Sequence, residues 1–328
     1  MFYLIKPGTQ IDFAGKRHIW MGLSLLMISA SLILFFTKGL NYGIDFSGGA
    51  EVHVQVPSEW KIGELREALN KGGLEDFRVV TVGEETSNEY LIRAKGNESS
   101  LNKVSGLVDE IIGKSFAKDL YQIKRVDVVG PAAGSTLRKN GFLAVFYALL
   151  VILIYVAIRF DTRYAPGAVI ALFHDTMIIL GIFILTQKQF DLTILAAVLA
   201  LAGYSNNDTI VVFDRVRETM QMHPGLKIED AVNRSVNETL GRTIVTSITT
   251  FLVVSALYFF GGEVIRNFAF TLMVGIVIGS YSTIFIASSG VIYLTKYREK
   301  QQLKAKMGGS AAAAKAATKK KNETVSAT

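Results

Sequence analysis

The sequence has 328 residues, of which 50% are hydrophobic and only 19% are charged, and its mean hydropathy is positive at +0.34. A soluble domain of this length normally carries more charge, so the composition favours an integral membrane protein. The chain contains no cysteine, which excludes disulfides, thiolate metal sites and thiol nucleophiles. Its net charge of +7 collects beside apolar segments and in the tail, as topology signals do, so we expect no nucleic-acid binding.

Six apolar stretches are long enough to cross a bilayer as helices, which takes about 20 residues each. They are His18–Phe36, Gly141–Ile158, Pro166–Leu185, Leu192–Phe213, Thr243–Phe260 and Phe268–Leu294. The first stretch is long for a signal peptide and no small-x-small cleavage site follows it, so we expect a retained anchor. The sequence therefore predicts an α-helical polytopic membrane protein with six transmembrane helices.

Basic residues are concentrated on one side of these predicted helices. They are Lys6, Lys16, Arg17, Arg159, Arg163, Arg215, Arg217, Lys227, Arg234 and Arg242, followed by the lysines and arginine of the tail. The short connections on the other side hold only Lys188 and Arg266. Because positive residues mark the cytoplasmic side of a membrane, we expect both termini in the cytoplasm.

This topology divides the chain into five parts. They are a cytoplasmic N-terminus at 1–17, the first helix at 18–37, an outside domain at 38–138, five further helices at 139–295 and a basic tail at 296–328. A cytoplasmic amphipathic loop is expected at 214–242, where apolar residues recur every fourth position from Ile228 to Leu240, either on the membrane surface or against the other helices. The tail beyond Met307 has no periodicity, and we expect it to be disordered.

The outside domain is predicted to mix strands and helices. Alternating apolar residues indicate strands at Glu51–Val56, Phe77–Val82, Glu89–Ala94 and Leu120–Val129. A helix after Ser58 carries Ile62, Leu65 and Leu69 on one stripe, and a second helix begins near Ser99. The order βαββαβ is typical of an α+β ferredoxin-like sandwich.

Ionisable groups inside a membrane span are costly, so each is a candidate functional residue. Asp208 lies in the fourth span within a polar run that also contains Ser205, Asn206, Asn207 and Thr209. A carboxyl group there could hydrogen-bond neighbouring helices, but the concentration of polar groups favours a role in ion coupling. Arg242 opens the fifth span, and Thr246 follows one turn later.

Two further features of the spans have different readings. His174 and Asp175, in the third span, could relay protons or could simply bond to each other and to facing backbone. Gly275 and Gly279 form a G-x-x-x-G in the sixth span, which predicts close helix packing. We predict no metal site and no bound cofactor.

Several strings together resemble the SecF family of protein-export membrane proteins, within the resistance-nodulation-division superfamily. They are IDFAGKR from Ile11, GIDFSGG from Gly43, VGP from Val129, RF at Arg159, HD at His174, GYSNNDTIVVFDRVRE from Gly203 and GIVIGSYSTIFIAS from Gly275. The resemblance runs in order from about residue 9 to residue 298. Asn206 departs from it, because the family usually has an apolar residue there.

The resemblance implies a subunit of the cell inner membrane, with a periplasmic domain, that is not an enzyme. It implies a SecD partner that supplies six more spans, and use of the proton gradient, or sodium in some relatives, to complete export of an unfolded polypeptide through the SecYEG channel. Asp208 and Arg242 match ion-pathway residues of the family. Gly43, Asp45, Phe46, Gly48 and Gly49 match a junction between the first span and the outside domain. YajC, YidC and membrane lipids are further expected partners.

Other function classes fit the sequence less well. A superfamily exporter of small molecules or lipids would need larger outside domains and usually twelve spans in one chain. An intramembrane aspartyl protease using Asp175 and Asp208 would need a Tyr-Asp and a Gly-x-Gly-Asp motif, and the chain has neither pair. A passive insertion scaffold would leave Asp208 and Arg242 unexplained.

The predicted topology can be tested with reporter fusions in living cells. Fusions near Gly72 and Gly96 should report an outside location, and fusions near His223 and Lys300 should report the cytoplasm. A reporter at position 223 that is active outside would overturn the whole assignment, because every other span depends on that connection.

Overall fold

The computed structural model describes residues 9–82, 88–95, 98–115, 120–159 and 164–305. Its elements in chain order are α1 (Arg17–Thr37), α2 (Ile44–Ser47), β1 (Gly49–Gln55), α3 (Ile62–Lys71), β2 (Phe77–Val82), β3 (Glu89–Ala94), α4 (Glu98–Ser115), β4 (Gln122–Val129), α5 (Pro131–Arg159), α6 (Ala165–Thr186), α7 (Leu192–Met222), α8 (Ile228–Phe260) and α9 (Gly262–Ser282). A π-helical segment, Thr283–Ala287, follows α9, and the helix then continues to Ala305. The predicted residues 306–328 of the tail, and Arg163, lie outside the described residues.

Six of these helices are long and apolar enough to cross a membrane: α1, α5, α6, α7, α8 and the helix Ile265–Ala305. The prediction of six transmembrane helices is therefore confirmed. In the most apolar stretch of each helix, 56% of the residues are buried in α6 and 50% in α7, but only 11% in each of α1, α5 and α8. The centre of the bundle is thus made by α6, α7 and the sixth span. The outer helices present large apolar side chains such as Phe36, Ile158 and Phe260 to the surroundings, as lipid-facing helices do.

The segment expected as a separate amphipathic loop consists instead of the ends of two long helices. Helix α7 continues to Met222 and α8 begins at Ile228, because Pro224 and Gly225 interrupt the helical pattern and Gly225 adopts a φ of 94°. Ile228, Val232 and Val236 pack in one apolar cluster with residues of α7, including Val212 and Phe213. The apolar face was predicted to lie either on the membrane surface or against the other helices. In the structure it lies against the other helices.

The α+β domain contains a four-stranded sheet in the order β2-β3-β1-β4, and each neighbouring pair is antiparallel. One face of the sheet packs against α3 and α4. The core contains Val52, Val54, Ile92, Leu65, Leu69, Val108 and Ile112, all fully buried. The predicted order βαββαβ is present. Assignment to the ferredoxin-like class stays a prediction.

The glycine-rich string from Gly43 connects α1 to the α+β domain through the short helix α2. Gly48 has a φ of 71°, and a Cβ atom on it would lie 2.7 Å from the Cα of Pro131. Only glycine allows this approach. The segment between α2 and β1 is therefore held directly against the start of α5 at the base of the domain.

Candidate functional site

The polar run of α7 does not form a single site, because successive helical residues point in different directions. Ser205 and Thr209, four residues apart, both face the centre of the bundle and are buried. Asp208 faces α8 instead, and Asn207 is exposed. The polar run therefore belongs to two separate groups of side chains, one around Asp175 and one around Asp208.

The first group is a buried hydrogen-bond network centred on Asp175. Its Oδ2 atom accepts from the hydroxyls of Ser205 on α7 at 2.7 Å and Ser282 on α9 at 2.9 Å. Its Oδ1 atom lies 3.0 Å from Nδ1 of the neighbouring His174. His174 and Asp175 are 1% and 2% exposed. A buried carboxyl group needs such partners, because an unpaired one would be strongly destabilising.

The network continues from His174 to the first span. Nε2 of His174 lies 3.1 Å from Oγ of Ser24, which lies 2.8 Å from the hydroxyl of Tyr281. That hydroxyl donates to the backbone oxygen of Trp20 at 2.8 Å. The ring of His174 also stacks on the ring of Tyr281, with centroids 5.8 Å apart. Four spans, α1, α6, α7 and the sixth, are thus joined by one chain of polar contacts.

Counting donors along this chain places a proton between His174 and Asp175. Tyr281 uses its only hydrogen on a carbonyl oxygen, so Ser24 must donate to Tyr281 and accept from Nε2–H of His174. The Nδ1–Oδ1 contact then also contains one proton. The two residues hold it either as an imidazolium with a carboxylate or as a neutral imidazole with a carboxylic acid. The geometry therefore fits both readings of the pair, as a proton relay and as a structural contact.

The sixth span is shaped to approach this network closely. A Cβ atom on Gly279 would lie 3.1 Å from the side chain of Ser205 and 3.7 Å from Oδ2 of Asp175. Thr283 opens the π-helical segment and its hydroxyl lies 2.9 Å from that of Thr209. Single π-helical turns are frequent at functional sites. Gly275, one turn before Gly279, lies against Leu201 of α7.

The second group surrounds Asp208, near the contact between α7 and α8. Its Oδ1 atom accepts from the hydroxyl of Thr243 at 2.9 Å. Its Oδ2 atom is buried and has no hydrogen-bond partner among the described residues. Oδ1 of Asn206 is likewise buried without a partner in this part of the chain. These two oxygens lie on either side of the exposed Asn207, so both border an open face of α7.

Arg242 does not pair directly with Asp208. It is exposed, and it forms no salt bridge within the described ranges. Thr246 is also exposed, and its hydroxyl donates to backbone oxygens of its own helix, those of Arg242 and Thr243. The hypothesis that Arg242 sets the charge balance at Asp208 stays a prediction.

Sequence reasoning missed Thr243, Ser24, Tyr281 and Ser282. Thr243 had a usable signal: it continues the buried stripe of α8 formed by Val232, Val236 and Leu240. Ser24, Tyr281 and Ser282 had no such signal, since hydroxyl residues are common in membrane helices and their partners lie on distant spans. No group of three or more histidine, aspartate or glutamate side chains in the described residues could hold a metal ion.

The Asp175 network yields a prediction about stability. In Asp175→Asn, the amide oxygen can still accept from both serines while the amide nitrogen donates to a neutral His174, so the purified protein should unfold at nearly the wild-type temperature. In Asp175→Leu, the Ser205 hydroxyl and Nδ1 of His174 lose the partner that Asp175 provides, and each buried group left unpaired costs about 1–3 kcal/mol. Thermal unfolding followed by size-exclusion chromatography in detergent should separate the two variants. Equal losses of stability would contradict this hydrogen-bond assignment.

Comparison with known families matches most of the chain. Residues 110–297 match the model described as protein export membrane protein SecD/SecF, C-terminal, and residues 33–56 match the SecD/SecF GG motif. The second match contains Gly43, Asp45, Phe46, Gly48 and Gly49, the residues that connect α1 to the α+β domain.

Individual proteins and structures agree with these models. The chain is 44% identical to protein translocase subunit SecF of Calditerrivibrio nitroreducens, over 91% of this chain and 98% of that protein. It is 40% identical to the subunit of the same name from Pseudomonas aeruginosa, over 88% and 93% of the two chains. The crystal structure of SecDF from Thermus thermophilus superposes with a TM-score of 0.80 and 34% identity, covering 90% of this chain but only 40% of the SecDF chain. The chain therefore belongs to the SecF family of protein-export membrane proteins.

Proposed function

We propose that this chain couples ion movement across the inner membrane to protein export, as one subunit of a SecDF-type complex. The observation that carries the proposal is Asp208, a carboxyl group inside a membrane span with one oxygen bonded to Thr243 and the other buried without a partner in the described chain. A fully satisfied carboxyl group would be structural, whereas this one keeps a free acceptor for a proton or an ion. Protons are the proposed coupling ion, with sodium as the alternative.

A SecD partner would complete the region around Asp208. The Thermus protein of known structure is named SecDF, and the chain corresponds to only 40% of it. The face of α7 that carries Gly203 and Asn207 is exposed, as is much of α8. A second subunit packed on this face would bring its own polar groups toward Asp208 and Asn206. SecYEG, an unfolded polypeptide, YajC, YidC and lipids are proposed as further partners by family resemblance alone.

The proposed orientation follows from the positive charges. Both termini would lie in the cytoplasm and the α+β domain in the periplasm. Asp208 would then lie nearer the cytoplasmic end of α7, since Arg215 and Arg217 follow it on the same helix. The names of the relatives, which are translocase subunits, favour protein export over the export of lipids or small molecules.

Asp208→Asn tests the coupling role most directly. Asparagine keeps the size of the side chain and can still accept from Thr243, but it has neither the charge nor the exchangeable proton. We expect normal membrane insertion and normal binding to SecD, with loss of gradient-dependent export in cells that lack the wild-type chain. The matched control is Asp214→Asn on the same helix, where the carboxylate lies 3.6 Å from Arg159 and is partly exposed. Full export by Asp208→Asn would rule this residue out as the coupling group.

Arg242→Lys separates an ion-pathway residue from a topology anchor. An anchor tolerates lysine, since both side chains carry one positive charge at the membrane surface. A residue that contacts a carboxylate through two guanidinium nitrogens does not, since lysine lacks the planar fork. We expect reduced export by Arg242→Lys compared with Arg217→Lys, an exposed arginine of α7, at equal membrane levels. Equal export by both variants would leave Arg242 as an anchor.

The stable Asp175→Asn variant also decides between the two roles of His174 and Asp175. A proton relay needs the shared proton between Nδ1 and Oδ1, so its loss should abolish export while the fold remains intact. A structural network requires only the hydrogen bonds, which asparagine can replace, and export should then continue.

A further inference from the structure

Two segments that are distant in sequence lie side by side at the base of the α+β domain. One is 41–46, which leads from α1 into the domain, and the other is 187–191, which leads from α6 into α7. Phe190 N donates to the backbone oxygen of Asn41, and Gly43 N donates to that of Phe190, both at 2.8 Å. These bonds flank a parallel bridge between Tyr42 and Phe190. The two segments are therefore joined by one isolated β-bridge.

The side chain of Phe190 fixes this bridge to the core of the helix bundle. Its side chain is 2% exposed. It stacks on Phe46 of α2, with ring centroids 5.9 Å apart, and meets Phe183 of α6 edge to face at 6.1 Å. The same apolar cluster includes Leu195 of α7. A buried aromatic ring between three elements resists separation of the two segments.

Polar side chains of the α+β domain also contact the segment 187–191. Arg93 of β3 donates through Nε to Glu51 of β1 at 2.6 Å and through a terminal nitrogen to the side-chain oxygen of Gln189. The side-chain nitrogen of Gln189 lies 3.5 Å from the same Glu51 carboxylate. The side chains of Arg93 and Glu51 are 19% and 18% exposed, and charge-assisted bonds of this kind are among the strongest in proteins.

The first turn of α7 is bound to both segments. Asp191 caps the helix by accepting from Ile194 N at 2.9 Å, and Asp45 of α2 accepts from Leu192 N at 3.1 Å. One free amide of the helix end is therefore satisfied by its own loop and another by the segment that enters the domain. From Leu192, α7 continues without interruption past Asp208, a distance of about 24 Å at 1.5 Å per residue.

We propose that this contact, defined by residues 41–46, 187–191, Glu51 and Arg93, is a rigid joint that makes the α+β domain and α7 move as one body. Arg93 and Gln189 are its positioning residues. The inference rests on the proposed function, because a joint of this kind matters when charge changes at Asp208 shift α7. Displacement of the helix would then reach the sheet through the Gln189 side chain and the Tyr42–Phe190 bridge. The opposing model is a contact that opens in each cycle.

The first test loosens the polar part of the joint in the full complex with SecD. Gln189→Leu and Arg93→Met each remove two polar contacts of the joint, and each should reduce export at least about ten-fold, the population change expected from losing one hydrogen bond to a charged group. Gradient-driven proton movement into vesicles containing the complex should continue, so the ratio of protons moved to polypeptide exported should rise. The control is Arg125→Met, since Arg125 pairs with Asp127 on the same face of the sheet and should leave the ratio unchanged. Export and proton movement that fall together, or unchanged export, would overturn the proposal.

The second test asks whether the joint opens. A Cβ atom on Gly43 would lie 3.0 Å from Cβ of Asp191, shorter than the separation of about 3.5–4.5 Å found in disulfides, so a small outward shift of the two segments would let the sulfurs bond; the chain has no cysteine of its own. In Gly43→Cys/Asp191→Cys, paired with a cysteine-free SecD, the oxidised and reduced forms should export at the same rate. Loss of export on oxidation, restored by a reductant, would show that the contact must open. This comparison is independent of Asp208→Asn, which tests the proposed function itself.

Discussion

The buried carboxyl group of Asp175 is the constraint around which the helix bundle is arranged. Within a membrane, water cannot satisfy such a group, so the chain must bring its own donors. Ser205 and Ser282 supply two hydroxyls, and His174 occupies the remaining oxygen. Each donor comes from a helix whose rotation and depth are therefore defined. Gly279 lets the sixth span come close enough for this geometry, and Ser24 extends the network to α1.

Asp208 differs from Asp175 in being only partly satisfied. Both are aspartates in central helices, yet one has partners for both oxygens and the other bonds only Thr243 within the described chain. The difference follows from position, because Asp175 is bonded by side chains of two neighbouring spans, whereas Asp208 lies between α8 and an exposed face of α7. A group at such a border can change its partner without breaking the bundle, whereas both oxygens of Asp175 are bonded within the bundle. This contrast favours Asp208 as the coupling residue. A relay role for Asp175 would depend on the proton that it shares with His174.

Hydropathy predicted the number of spans, and alternation predicted the order of strands and helices in the α+β domain, because both depend on local patterns. The site was predicted in part. Asp175 and Asp208 are conspicuous since charges in apolar helices are rare, but their partners depend on how each helix is rotated against the next. The periodicity of α8 points to Thr243 only when its buried stripe is followed across the predicted boundary at Arg242. The bridge between Tyr42 and Phe190 joins segments that are distant in the sequence, so no window of sequence contains it.

Helix α7 is the one element that takes part in all of these contacts. Its first turn is held by Asp45 and by the loop containing Phe190, its middle bonds Asp175 through Ser205, and Asp208 follows one turn later. Under the proposed function, a change of charge at Asp208 would act on a helix that is stiff along its length, because every backbone bond within the membrane is made internally. The Asp175 network defines the rotation and depth of that helix at Ser205, so any displacement of α7 would have to keep this hydroxyl within reach of the carboxyl group. A displacement of α7 would reach the α+β domain most directly at the start of the helix, where the domain is attached. The attachment must therefore be stiff if ion movement is to reach the domain.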